Sequence, residues 1–299
     1  MPRTRNAAPF LVLAIALAAV SFGSIFARLA EAAPLAIAAW RMGLAALIVI
    51  PVGLAARSGA ERLDLRHAAL AAIAGLFLAL HFATWIASLD YTSIARSVLL
   101  VSTAPIWVAI LQFVTGRGAP PLRTVLALLL AAGGVAIASS GHDYREGVMT
   151  GDLLAVAGAI AMASYLLLSQ KAQSRLPFRR YLAIAYGSAA AILWLAVTFT
   201  GTTAGGFNAT TWWALAGMAA ISQLIGHSGY NWSLRHLSPL FVAVVLVGEP
   251  VLASLLGWWL LGEGLDWQTG AGGLLILAGI LLGASAARAL PVAVQTPAQ

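Results

Sequence analysis

Ten stretches of about twenty predominantly apolar residues follow one another along the chain, separated only by short polar or turn-forming breaks. They fall at about 9–27, 34–56, 67–89, 94–115, 120–140, 150–171, 178–200, 211–234, 238–261 and 266–288. Each is long enough to cross a hydrocarbon core as a helix, which takes roughly 18–20 residues. Of the 299 residues, 61% are hydrophobic and 9% charged, against roughly 45–50% apolar and about 25% charged in a soluble domain. That much apolar surface cannot be hidden in one water-soluble core. The expected fold is therefore an all-α polytopic membrane protein with ten transmembrane helices, and the short connections leave no room for a soluble domain.

The basic residues orient these spans. With the N-terminus inside and the loops alternating, thirteen of the 17 Lys and Arg fall on the cytoplasmic side, Arg3, Arg5, Arg57, Arg179 and Arg288 among them. Arg28, Arg96 and Arg145 fall on the other side, and Arg41 lies inside the second segment. This bias is the positive-inside pattern and predicts an N-in, C-in, multi-pass protein of the cell inner (plasma) membrane. It also accounts for the net charge of +7 without nucleic acid. Trp212, Trp213, Trp258, Trp259 and Trp267 fall near the expected outer interface, where aromatic rings are favoured. Ala30-Glu31-Ala32 resembles a signal-peptide cleavage site. No cleavage is expected, because the first segment is long enough to span and takes part in an internal repeat.

That repeat emerges when the sequence is shifted by 145 residues. Ser88-Leu89 falls on Ser233-Leu234, Ser93 on Ser238, Pro105 on Pro250, Thr124 on Thr269, Gly134 on Gly279 and Ser140 on Ser285. Near the start of each half a shift of 143 puts Ser21 on Ser164, Arg28 on Lys171 and Pro34 on Pro177. Residues 1–145 and 146–299 are thus expected to be two five-helix repeats. Five is odd, so the second must be inverted relative to the first, a recurring plan of secondary transporters.

The second half carries Leu246-Val247-Gly248-Glu249-Pro250-Val251, then Leu261-Gly262-Glu263, then the glycine-rich run Gly270 to Gly279. The first half carries a paired version from Ser88 to Ile110, with Gly116-Arg117-Gly118 where an acidic loop is usual. These features resemble the EamA-type signature of the drug/metabolite transporter superfamily over nearly the whole chain, and Arg41 fits a common family position. The resemblance implies a central cavity lined by the third, fourth, sixth, eighth and ninth helices. It also implies export of small metabolites, coupled to protons or running downhill. It does not choose among amino acids, their derivatives, nucleotide-related solutes and drugs.

Ionisable groups inside lipid are costly, so each is a functional candidate. Arg41 and Glu249 lie at similar depths, roughly 10 and 13 Å below the outer boundary at 1.5 Å per residue. They could form a pair made in one state and broken in another. Two plainer readings are a fixed structural pair and a Glu249 bonded to backbone freed by Pro250. An unpaired Glu249 could carry a proton. His81 and His227 occupy the third and eighth segments, with Thr84 and Trp85, and Tyr230 and Asn231, about one turn on. Each cluster offers an imidazole, an aromatic ring and a hydrogen-bonding group to a zwitterionic or aromatic-like solute; equally, each His could hold two helices together. Ser102 and Trp107 flank Pro105, whose ring releases backbone carbonyls. Tyr165 and Gln223 are further candidates, and Gly279 with Gly283 is a packing pair.

No Cys is present, which excludes disulfides and thiolate metal sites. Neither a His-x-x-x-His pair nor a phosphate loop nor a nucleophile elbow occurs. No cofactor or metal is expected. The function expected is a secondary transporter exporting an amino acid or related amphipathic solute by alternating access, as monomer or homodimer. An intramembrane enzyme acting on lipid-linked substrates would need paired carboxylates at one interface, and Asp143, Glu146, Glu263 and Asp266 are loosely spaced. A channel would need symmetric subunits or a charged ring.

Overall fold

Every apolar stretch read from the sequence is helical in the computed structural model, which describes residues 7–55, 64–92, 94–116, 118–138, 140, 147–262 and 267–289. No strand occurs among them. Arg3, Arg5, Arg57, Ser93, Arg117 and Arg145, together with the acids Asp143, Glu146, Glu263 and Asp266, lie outside the described residues. So do the side chains of Arg96, Thr269, Gly283, Ser285 and Arg288.

The first three spans are single helices: α1 (Ala8–Leu29), α2 (Pro34–Ala55) and α3 (Leu65–Ser88). The fourth is broken into α4 (Ile94–Val101) and α5 (Ala104–Val114). The remainder of the first half is α6 (Leu122–Ala138). The second half opens with α7 (Val148–Gln173) and α8 (Phe178–Thr200). Its next span runs through α9 (Ala209–Gly217), a π-helical stretch Met218–His227 and α10 (Ser228–Ser233). The ninth span is broken like the fourth, into α11 (Pro239–Leu246) and α12 (Glu249–Leu261), and α13 (Trp267–Ala289) closes the bundle. Seven of these segments are long and apolar enough to cross a membrane; Leu122–Ile137 and Gly270–Gly279 are shorter apolar helices.

Local chemistry sets the boundaries. Asp64 caps α3, its carboxylate accepting the His67 backbone N–H at 3.1 Å, and that bond holds the carboxyl below its ordinary value. Asn208 and Ser238 cap α9 and α11 in the same way. Gly201 and Gly262 end α8 and α12 at φ of 65° and 69°, where a side chain would be strained. The two broken spans share one cause. Pro105 and Pro250 have no N–H to continue the ladder, and their rings displace the carbonyls one turn earlier. Both breaks fall just before the proline, at Ser102-Thr103 and at Val247-Gly248.

Packing follows bare backbone. On α3, a Cβ at Gly75 would lie 2.4 Å from the Ala185 carbonyl oxygen of α8. Between α6 and α13, a Cβ at Gly134 would lie 2.6 Å from the Gly272 oxygen, and one at Gly279 would lie 2.8 Å from the Ala127 oxygen. These two contacts exchange under the 145-residue shift, because Gly134 maps to Gly279 and Ala127 to Gly272. At one end of the bundle the α1–α2 corner is tied to the segment before α9. Trp40 Nε1 donates to the Ala204 oxygen at 2.8 Å and Asn208 Nδ2 to Glu31 Oε2 at 2.9 Å. Trp212, Trp213, Trp258, Trp259 and Trp267 are all exposed, and Trp212 also packs edge-on against Trp40. Leu47, Leu129, Phe199 and Leu274 point outward with many other large apolar side chains, as a lipid-facing surface requires.

Candidate functional site

The two helix breaks meet a small interior cavity. Val101, Ser102, Ala104 and Pro105 line it from the first half, and Leu246, Val247 and Glu249 from the second. The remaining wall comes from Val20 of α1, Arg41 of α2, His81 and Trp85 of α3, Met162 and Leu166 of α7, His227 and Tyr230 of the eighth span, and Ala243. Its volume is about 40 Å³, room for a few water molecules at 10–15 Å³ each by the same measure.

Arg41 is 1% exposed. Its Nε donates to Gln223 Oε1 at 2.9 Å, and its guanidinium carbon sits 3.9 Å above the centre of the Phe82 ring, a cation–π contact. Phe82 also meets both histidines, with ring centres 4.9 Å from those of His81 and His227. The two imidazoles are 6.3 Å apart. His81 Nδ1 lies 3.0 Å from the Gly158 oxygen of α7. A carbonyl only accepts, so Nδ1 carries the proton and Nε2 is left as the acceptor. His81 stacks almost parallel on Trp85, with planes 7° apart. His227 Nδ1 bonds the Tyr230 hydroxyl. Behind them a second polar layer is buried. Asn231 Nδ2 donates to the Tyr165 hydroxyl and to the His227 carbonyl, and the single proton of the Tyr181 hydroxyl is shared between Asn231 Oδ1 at 3.2 Å and Ser169 Oγ at 2.6 Å.

Of the residues expected from sequence, Arg41, His81, Trp85, Ser102, His227, Tyr230 and Glu249 line the cavity. The others do not. Gln223 stands behind Arg41 and orients it. Tyr165 and Asn231 belong to the second layer, because a side chain one position from a lining residue points about 100° away around a helix. Thr84 is bonded to its own helix at the Leu80 oxygen, 2.8 Å away. Trp107 is half-buried and packs against the apolar core. The Arg41–Glu249 pair is not formed: among the described residues neither side chain has an ion pair, and Glu249 has no side-chain hydrogen bond. His81 ties α3 to α7 through the Gly158 oxygen and also lines the cavity; the His227 side chain bonds within its own span.

Sequence reasoning missed Phe82, which reads as an ordinary core residue beside His81. It also missed the contribution of the first helix, Val20, the particular residues Met162 and Leu166 on the sixth span, and the core tyrosines Tyr181 and Tyr186. Nothing in the pattern of an apolar helix marks which face turns to a polar centre. The π-helical winding of Met218–His227 is likewise invisible in composition, although such wide turns cluster at functional sites. It spans Gln223 and His227, and a one-residue gap in the repeat is needed to match His81 with His227.

The model of the EamA-like transporter family matches residues 8–140 and again 149–284. Two proteins of Archaeoglobus fulgidus, each named as an uncharacterized transporter, are similar along nearly their whole length. One is 26% identical over 280 residues, covering 91% of this chain and 95% of its own. The other is 26% identical over 273 residues, covering 90% and 94%. A crystal structure of a protein 18% identical superposes with a TM-score of 0.75 over 95% of this chain and 100% of that one, a likeness of fold.

Proposed function

The chain belongs to the EamA-like transporter family, a multi-pass membrane transporter, and from that premise we propose that it exports a small organic solute across the inner membrane by alternating access. One observation carries this reading: a cavity holding Arg41, His81, His227 and Glu249 sits where two proline-broken helices meet. Broken helices place free backbone and charged side chains at mid-membrane depth, where a transported solute needs them.

The division into repeats at 1–145 and 146–299, the second inverted, is part of the same proposal. Two matches of one family model support it. So does the α6–α13 contact, in which Gly134 meets Gly272 and Gly279 meets Ala127. Pairs that run in opposite directions along two helices and exchange under the repeat shift are what an inverted duplication leaves behind. The present cavity is far too small for a metabolite, so admitting one requires the two bundles to part. Protons are the proposed coupling ion, with Glu249 as carrier.

Counterflow in proteoliposomes tests the carrier mechanism, using whichever amino acid, nucleoside or amphipathic cation raises the melting temperature of the purified protein. Uptake should saturate and accelerate with unlabelled solute on the far side; flux that does neither identifies a channel. Replacing His81 or His227 with Ala should lower flux while the protein still reaches the membrane. Unchanged flux in both variants removes the histidines from the site.

A further inference from the structure

Arg41 is a buried cation with no anion beside it. Among the described residues no carboxylate lies within 4.0 Å of its guanidinium, and Nε is its one hydrogen-bonded nitrogen. The groups around it are short of acceptors as well. Trp85 Nε1, Ser222 Oγ and Gln223 Nε2 are buried without a hydrogen-bond partner. They are close together: a Cβ at Gly23 would lie 3.6 Å from Ser222 Oγ, 3.7 Å from Arg41 Nη1 and 3.7 Å from Trp85 Cη2. Gln223 is held to Arg41 directly. One region of the protein thus gathers a fixed positive charge and several unused donors, and Arg41 and Trp85 open from it into the cavity. Buried charges and donors are normally paired; what is lacking here is an anion.

Building on the transporter reading, we infer that the solute carries a carboxylate and that Arg41 is its anchor. Gln223 occupies Nε and the Phe82 ring covers one face, so the guanidinium is left with the edge formed by Nη1 and Nη2. That edge matches the two oxygens of a carboxylate. The Trp85 indole forms part of the same wall. Glu249 is the sole acid among the lining residues and stands unpaired; as the one other charge on the cavity wall, it competes electrostatically with a bound carboxylate. A dianionic phosphate fits less well. The lining offers one fixed positive charge, and Glu249 would repel the excess. A neutral or cationic solute leaves Arg41 without a partner.

The experiment uses the purified full chain in detergent. Thermal shift and calorimetry compare 3-phenylpropionate and hexanoate with their primary amides and with phenethylamine and hexylamine, adding L-phenylalanine and phenyl phosphate. At least one carboxylate probe should raise the melting temperature and bind at least tenfold more tightly than its amide and amine counterparts. Arg41→Gln should abolish that preference, Arg41→Lys should weaken carboxylate binding about tenfold because the fork is lost, and Glu249→Gln should tighten it severalfold. The comparison among ligands is made on the unaltered protein, so it stands even if an Arg41 variant fails to fold. Amides or amines that bind as well as the acids, a response to phenyl phosphate alone, or no response to any carboxylate overturns the inference. Counterflow of a neutral or cationic solute would overturn it while leaving the transporter reading intact. Absence of counterflow for every solute that binds would remove the reading beneath it.

Discussion

Phe82 touches more of the cavity's polar groups than any residue singled out by charge. It lies against the Arg41 guanidinium at 3.9 Å and against both imidazoles at 4.9 Å. Phe82→Leu keeps an apolar side chain and removes the π face. Cation–π contacts contribute about 1 kcal/mol, so solute affinity should fall about fivefold, as read by calorimetry, with little change in expression. Asn231 acts differently. It joins Tyr165, Tyr181 and the His227 carbonyl in a layer sealed from solvent. Asn231→Ala removes the donor to the Tyr165 hydroxyl and leaves Tyr181 with Ser169 alone, at a cost of about 1–3 kcal/mol. It should lower the melting temperature even without ligand, a result that separates a structural polar layer from the solute-contacting one.

Among the elements, the closest packing is made where side chains are missing. Gly134 and Gly279 each face a backbone oxygen of the partner helix, which cannot move aside as a side chain could. Gly134→Ala and Gly279→Ala should therefore each cost about 1–3 kcal/mol. Because the two contacts are equivalent under the repeat, their melting-temperature losses should be alike. A large inequality would show that the halves pack independently here. The start of α9 is a milder case. Asn208 accepts the Thr211 N–H at 2.8 Å and donates to Glu31 at 2.9 Å. Asn208→Ala should cost about 1 kcal/mol through the lost cap, measured as a small drop in thermal stability. Pro105 and Pro250 were visible in the sequence, but Pro51 lies inside the unbroken α2, so the surroundings decide which prolines interrupt a span.

At the level of the molecule, the absence of cysteine makes topology directly measurable. Ser174 follows α7 and Gly205 lies between α8 and α9; both are exposed. If both ends of the chain lie inside, as the positive-inside pattern predicts, an impermeant maleimide should label Gly205→Cys in intact cells, and Ser174→Cys only after the membrane is opened. Equal labelling of both from outside would contradict the assigned orientation.

The amino-acid sequence alone determined the all-helical class, the bounds of the apolar helical stretches to within a few residues and the family. Each of these rests on a local property: the apolar length needed to cross lipid and the spacing of a motif. It also named most of the polar residues of the cavity, because an ionisable group in an apolar helix is conspicuous wherever it points. Tertiary structure alone decided which of them meet. Arg41 and Gln223 are 182 positions apart along the chain and share a hydrogen bond. Arg41 and Glu249, expected at similar depths, line one cavity and do not pair. Depth follows from counting residues along a helix axis. Rotation about that axis is set by the neighbours it packs against, and those become known only when all the helices are in place.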